Sequence, residues 1–252
     1  MDPAPMPRPR VSVCMAAYNG ARHIEEQVRS ILPELGANDE LIIVDDCSQD
    51  DTVEIIRGIG DGRIRLDPAD SNAGYVRTFE RALGSARGEY IFLSDQDDVW
   101  LPGRVERMIS AMDGKDMVVS NCRHFDGPLG SFHEIRLRSQ DSTRAVRNIL
   151  GIVVGYRLHW GCAMAIRRRL LAQVLPFPSY MKESHDQWVA TVGNVNRSII
   201  YLEEDTILHR LHGDNLTPHG IRSAAKIIRA RIAFLRNVLE AVRRSRRASE
   251  GA

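Results

Sequence analysis

The stretch Tyr90-Ile91-Phe92-Leu93-Ser94-Asp95-Gln96-Asp97-Asp98-Val99-Trp100-Leu101-Pro102 runs from a short apolar segment directly into a cluster of carboxylates. Tyr90 to Ser94 reads as a buried strand, too short for a buried helix. Pro102 then opens a helix that extends through Met112, as proline does at a first helical position. The same order is found upstream. Val11 to Ala16 is a short strand, and Ile24, Val28, Ile31, Leu32 and Leu35 follow at helical spacing. Leu41 to Val44 is a second strand ending in Asp45-Asp46-Cys47-Ser48-Gln49-Asp50. Arg63 to Leu66 forms a third, with Val76, Phe79, Leu83 and Ala86 marking the helix between it and Tyr90. Strands alternating with helices predict βαβ units and a mostly parallel sheet with right-handed crossovers. Ligands of such sheets gather beyond the carboxyl ends of the strands, where both acidic clusters fall.

Downstream of Asp116 the pattern loosens. Met117 to Asn121 reads as a strand, Arg123 to Arg147 is polar without a clear period, and Cys162 to Ile166 is a short apolar strand before Arg167-Arg168-Arg169. Trp188, Val189 and Val192 suggest a helix opened by Asp186, and Thr206 to His212 a late strand. Across 252 residues, 43% hydrophobic and 27% charged residues exclude disordered, collagenous and disulfide-scaffold classes. Cys14, Cys47, Cys122 and Cys162 lie far apart without metal-ligand spacing, which suggests free thiols in a reducing cytoplasm. There is no leader-like apolar stretch before Val11 and no run of the ~20 apolar residues that span a bilayer, so a soluble cytoplasmic body is expected.

Asp95-Gln96-Asp97 at a strand end puts two carboxylates on a tight turn, a ligand set for a hard divalent cation; a solvated acidic turn is the alternative. Its company is more specific: Ala16-Ala17-Tyr18-Asn19-Gly20, then Val44-Asp45-Asp46 through Thr52, then Asn72-Ala73-Gly74, then Phe92 to Pro102, in that order. This series resembles the family 2 glycosyltransferases of GT-A fold, and within them the rhamnosyltransferase-like enzymes of bacterial surface polysaccharide synthesis. The resemblance is strong from Val11 to about Arg107 and looser to His212.

The resemblance implies a Rossmann-like, mixed, mostly parallel sheet flanked by helices, and an inverting transfer of a sugar from a nucleotide-diphosphate donor to an acceptor hydroxyl. It puts Ala17, Tyr18 and Asn19 under the nucleotide and Asp46 on the base or ribose with Asp45 beside it. Capping of a helix near Asp51 is the other reading of that pair. It assigns Asn72, Gly74, Asp95, Gln96 and Gly161 to the donor, the last in a loop near the sugar. Asp97 would hold Mn2+ or Mg2+, although Asp98 could shift that ligand by one residue, and His212 would reach the metal or diphosphate. Asp186 would be the catalytic base, against the alternative of a helix N-cap; relatives often carry Glu-Asp where this chain has His185-Asp186. The Q-x-x-R-W motif and the spans of processive synthases are missing, so addition of one sugar is expected.

Residues 1–218 are read as the catalytic domain and 219–252 as a basic amphipathic helix and tail. Ile221, Ala225, Ile228, Ile232, Leu235 and Leu239 recur at helical spacing, and Arg222 to Arg247 carries a local +8, leaving −7 for the rest of a chain of net +1. Two readings stay open: an interfacial helix on the inner face of the membrane near a lipid-linked acceptor, or packing on its own domain or a second subunit. Removing the helix is expected to leave the donor site folded, and Arg243 to Arg247 to be disordered. The rival functions are a sugar-nucleotide nucleotidyltransferase, which needs a basic glycine-rich loop not found here, and a non-catalytic basic module for membrane or nucleic acid. The acidic body argues against nucleic acid as a partner.

Overall fold

The computed structural model describes residues 8–127, 135–212 and 224–250. The first half is a run of βαβ units. Strands β1 (Val11–Ala17), β2 (Glu40–Asp45), β3 (Ile64–Pro68) and β4 (Tyr90–Ser94) alternate with helices α1 (Ile24–Ile31), α2 (Thr52–Ile59) and α3 (Tyr75–Ser85). β1 lies between β2 and β4, all parallel, and β2 also pairs with β3. Every residue of β2 is buried, as expected of a parallel strand covered on both faces, whereas β3 at the sheet edge is half exposed.

The second half extends the sheet. After β5 (Val99–Trp100) and α4 (Arg104–Ala111) come β6 (Met117–Phe125), α5 (Ala145–Val154), β7 (Met164–Arg167), α6 (Arg168–Val174), α7 (His185–Val195), β8 (Ile199–Arg210) and α8 (Ala224–Glu250). The strand order is β3-β2-β1-β4-β7-β6-β8-β5, with β7 and β5 antiparallel to their neighbours. This is the Rossmann-like, mostly parallel GT-A architecture the sequence suggested. Strand order reverses around β1, and the crevice beyond the carboxyl ends of β1 and β4 is the ligand position of such sheets.

Several elements differ from expectation. Pro102 does not open α4; Gly103, at φ 77°, precedes its first residue Arg104. Asp45 and Asp46 do not cap α2, which begins at Thr52. α5 arises inside and beyond the segment that showed no period, and β8 starts seven residues earlier than read. Arg243 to Arg247 is helical, not disordered. The proposed boundary at 218/219 and the start of the amphipathic pattern at Ile221 lie outside the described residues.

Candidate active site

Pairing of β5 with β8 builds one wall. Val99 faces Leu208 and Trp100 faces Ile207 in antiparallel register, which brings Asp97 and Asp98 against the end of β8. Asp97 Oδ2 lies 2.7 Å from His212 Nε2, and the His212 ring sits tilted against His23 with centroids 5.4 Å apart. Arg210 donates from Nε to the Asp97 carbonyl at 2.9 Å and forms ion pairs with Glu26 and Asp126. Burial, and then the charge of Asp98, raises the Asp97 carboxyl above the ordinary range. Burial with the charges of Asp98 and Asp97 raises Asp95 well above it. Carboxylates crowded in this way are stabilised by a cation. Asp97 Oδ2 and His212 Nε2, paired by their hydrogen bond, are an oxygen and a nitrogen of the kind a divalent cation accepts.

Asp98 points away into the core. Its Oδ1 accepts from His209 Nδ1 and from the Arg210 backbone N–H, both at 2.9 Å. Burial would raise Asp98 and lower His209, but each charge overrides that effect on its partner: Asp98 falls below its usual value and His209 rises to about 9. The result is a buried ion pair that fixes the end of β8 where Arg210 and His212 emerge. Cys162 completes this group; ligand atoms of Asp98, Cys162 and His209 lie within 4.8 Å of one another, a grouping that cysteine spacing did not reveal. Burial first, and then Asp98, keeps the Cys162 thiol protonated well above its usual pKa. The fully buried Arg104 sits beneath, bonded to Thr206 Oγ1 at 2.5 Å and the Cys162 carbonyl at 2.6 Å.

The opposite wall comes from β1, β2 and the loop before α3. Gln96 bridges the crevice to β1: its Oε1 accepts from Tyr18 N at 2.8 Å and its Nε2 donates to Tyr18 O at 3.0 Å. This holds the Tyr18 side chain at the surface, 44% exposed, as a free aromatic face. Asn19, with φ 49°, accepts from Gln49 N at 2.8 Å. Ala17 O accepts from Asp46 N at 2.8 Å. Asp45 accepts from Ser48 N at 2.9 Å and binds the Ser48 hydroxyl. Both Asp46 oxygens grip the next loop, taking Ala73 N at 2.7 Å and Gly74 N at 2.9 Å, while Asn72 donates to the Asp46 carbonyl. Gly74, at φ 83°, occupies backbone space that side-chain-bearing residues rarely adopt. Gln27, buried on the apolar face of α1, donates to Ser94 Oγ at 2.7 Å and Asp95 O at 2.9 Å. Its place among Ile24, Val28 and Ile31 was the signal available in the sequence.

Asp186 enters from the start of α7, with Ser184 at φ 61° before the helix and Ser184 N–H donating to Tyr75 Oη at 3.0 Å. Its Oδ1 accepts from Gln187 N at 2.7 Å, and burial pushes its pKa up to about 6. It is close enough for its charge to raise Asp95. His185 is turned inward, stacked on Phe79 at 4.2 Å, and burial pushes its pKa down to about 3. Gly161 backs onto this pair: a Cβ there would stand 3.1 Å from His185 Nε2. All twelve residues singled out from the sequence besides Asp186 therefore lie on this crevice or on the loops that form it.

Comparison with known proteins defines the class. Residues 12–175 match the model of Glycosyl transferase family 2, and the chain belongs to that family. It is 27% identical over 198 residues to WfgD of Escherichia coli, a UDP-Glc:alpha-D-GlcNAc-diphosphoundecaprenol beta-1,3-glucosyltransferase, covering 75% of this chain and 72% of that relative. Among solved structures it resembles S. aureus TarS 1–349 in complex with UDP-GlcNAc, with TM-score 0.71, 19% identity, and coverage of 91% of this chain and 66% of that one. It also resembles glucosyl-3-phosphoglycerate synthase from Mycobacterium tuberculosis in complex with Mn2+, UDP and glucosyl-3-phosphoglycerate, with TM-score 0.57, 20% identity, and coverage of 93% and 80%. The chain spans from a third to about two-thirds of the length of the first curated relatives it matches.

Proposed function

We propose that this family 2 glycosyltransferase moves one sugar, with inversion, from a nucleotide-diphosphate sugar to a hydroxyl of a saccharide or lipid-linked acceptor in bacterial surface polysaccharide or glycoconjugate synthesis. The observation that carries the reading is the convergence of the Asp97–His212 pair, the Gln96-braced Tyr18 face and Asp186 on one crevice. The nucleotide lies against Tyr18 and Asn19, with the loop that Asp46 holds at Asn72 and Gly74 closing over it. Asp95, Gln96 and Gly161 line the donor sugar. Asp97 and His212 hold Mn2+ or Mg2+, which when bound neutralises the departing diphosphate. Asp186 takes the acceptor proton; a carboxylate near 6 is matched to that task at neutral pH, whereas a histidine near 3 is a weak base. WfgD and the UDP complexes of the structural neighbours support a uridine-type donor, and WfgD alone supports a lipid-linked acceptor. Residues 1–218 form the catalytic domain in this reading, and the enzyme works in the cytoplasm, at the inner face of the membrane.

A thermal-shift panel of nucleotide sugars, with and without Mn2+, tests it. One donor raises the melting temperature in a metal-dependent manner, since a ligand bound only by the folded state stabilises by mass action. Asp97→Ala abolishes the metal dependence. No shift with any donor, or an unchanged Mn2+ effect in Asp97→Ala, overturns the assignment.

A further inference from the structure

α8 has a packed inner face and a bare outer one. On one, Asn237 and Ala241 are buried and Arg244 reaches over Trp188 of α7, 5.0 Å from its ring, donating to Gln173 O and Val174 O. On the opposite face Ile228, Ile232, Leu235 and Leu239 form a continuous stripe, exposed by 52% to 71%. α5 repeats this arrangement. Asn148 points inward to Asn194 of α7, while Val146, Leu150 and Val154, spaced one turn apart, are 57% to 66% exposed. Both helices rest on α7 and meet where Arg231 covers Gly155, so their outward faces adjoin. Apolar side chains grouped over two neighbouring helices exceed the scattered exposure of an ordinary soluble surface. Exposed arginines border them: Arg147 on α5, and Arg229, Arg243 and Arg246 on α8.

We propose that the outward faces of α5 and α8 form one docking surface that seats on an anionic lipid bilayer. The charge selects the occupant. A second copy would bring two arginine-bordered faces together, whereas an anionic headgroup layer complements the arginines and its acyl boundary takes the apolar stripe. No described helix is long and apolar enough to cross a membrane, so the contact lies in the plane of the bilayer. The inward side of the same helix reaches the catalytic segment: Arg236 lies 3.9 Å over the ring of Tyr180, whose hydroxyl donates to the buried Asn237 at 3.1 Å, six residues before Asp186. The docking surface extends the reading of a lipid-linked acceptor and includes α5, which the sequence did not implicate.

The test is co-sedimentation of the full chain with vesicles of phosphatidylglycerol and phosphatidylcholine, or of phosphatidylcholine alone, in ~0.1 M and ~0.5 M salt. Binding is expected only to the anionic vesicles, and weaker at high salt. Two double variants, Leu235→Glu with Leu239→Glu and Val146→Glu with Leu150→Glu, each weaken it by about tenfold or more, with melting temperature and donor-induced thermal shift unchanged. Absence of binding by the full chain, or binding that survives both double variants, overturns the proposal. So does a lipid-free dimer in sedimentation equilibrium that the same variants dissociate, since the face then belongs to a second copy. Vesicle binding without any nucleotide-sugar shift would sustain the surface and remove the enzymatic reading alone.

Discussion

Asp186 and His185 stand side by side, yet their surroundings separate their chemistry. Burial acts on both and moves them in opposite directions, raising the acid and lowering the base. If Asp186 accepts the proton, Asp186→Asn keeps the shape and the Gln187 contact but slows transfer by roughly 10²- to 10⁴-fold, with donor affinity retained. Activity of the unmodified enzyme requires the ionised form, so it falls as pH drops through about 6, above the range of an ordinary carboxylate. The stability effect has the opposite sign. A carboxyl raised in the folded state favours folding when protonated and loses that contribution as pH rises through 6, so at pH ~8 the asparagine variant melts no lower than the parent. Rate and melting temperature measured on one preparation decide between base and cap: near-parental transfer assigns the residue to the helix end. The sequence located Asp186 by its company, but not the burial that raises its pKa, nor the burial of His185 beside it, where Phe79, Tyr75 and Phe177 arrive from distant segments.

At the scale of elements, the first half was legible throughout, whereas in the second α5, α6 and the early part of β8 were not. β1, β2 and β4 are buried on both faces, so each is a short apolar run ending in turn-forming polar residues, a signal that survives in one dimension. α5 reverses the usual arrangement, with Asn148 inward and Val146, Leu150 and Val154 outward, which hid the helix. The early part of β8 carries Glu203, Glu204 and Asp205, charges unsuited to a strand until Ser139 and Arg136 are seen to bond Glu203 and Asp205. The two open readings of the basic helix are not exclusive, since one face packs and the other is bare. That division is measurable two residues apart. Ala241→Asp forces a carboxylate into the fully buried contact with α7 and costs on the order of 3–5 kcal/mol, whereas Leu239→Asp on the outer face stays within about 0.5 kcal/mol. Urea unfolding of the two variants checks it; equal midpoints would mean α8 does not pack as described.

For the whole molecule, the packing of α8 on α7 means that removing the C-terminal helix is expected to cost stability while leaving the donor site folded. Removing residues 224–252 uncovers Trp188, leaves the carbonyls of Gln173 and Val174 without the Arg244 guanidinium, and strips Asn237 and Arg236 from Tyr180. Losing several buried contacts at once is expected to lower the melting temperature by on the order of 10 °C, given that each kcal/mol shifts a protein of this size by ~2–4 °C. The effect should be unequal across the site. The donor wall is built from β1, β2, β4 and the loop held by Asp46, none of which touches α8 through the contacts that hold Tyr180, so nucleotide-sugar affinity should change by no more than about threefold at a temperature where the truncated protein stays folded. Transfer to a water-soluble acceptor should fall further, because Tyr180 leads into Ser184 and Asp186 and loses both of its α8 partners. Such an acceptor removes membrane attachment from the comparison, so a drop in turnover with intact donor binding reports the packing of α8 alone. An unchanged melting temperature and unchanged turnover would show that the helix contributes nothing to the catalytic body.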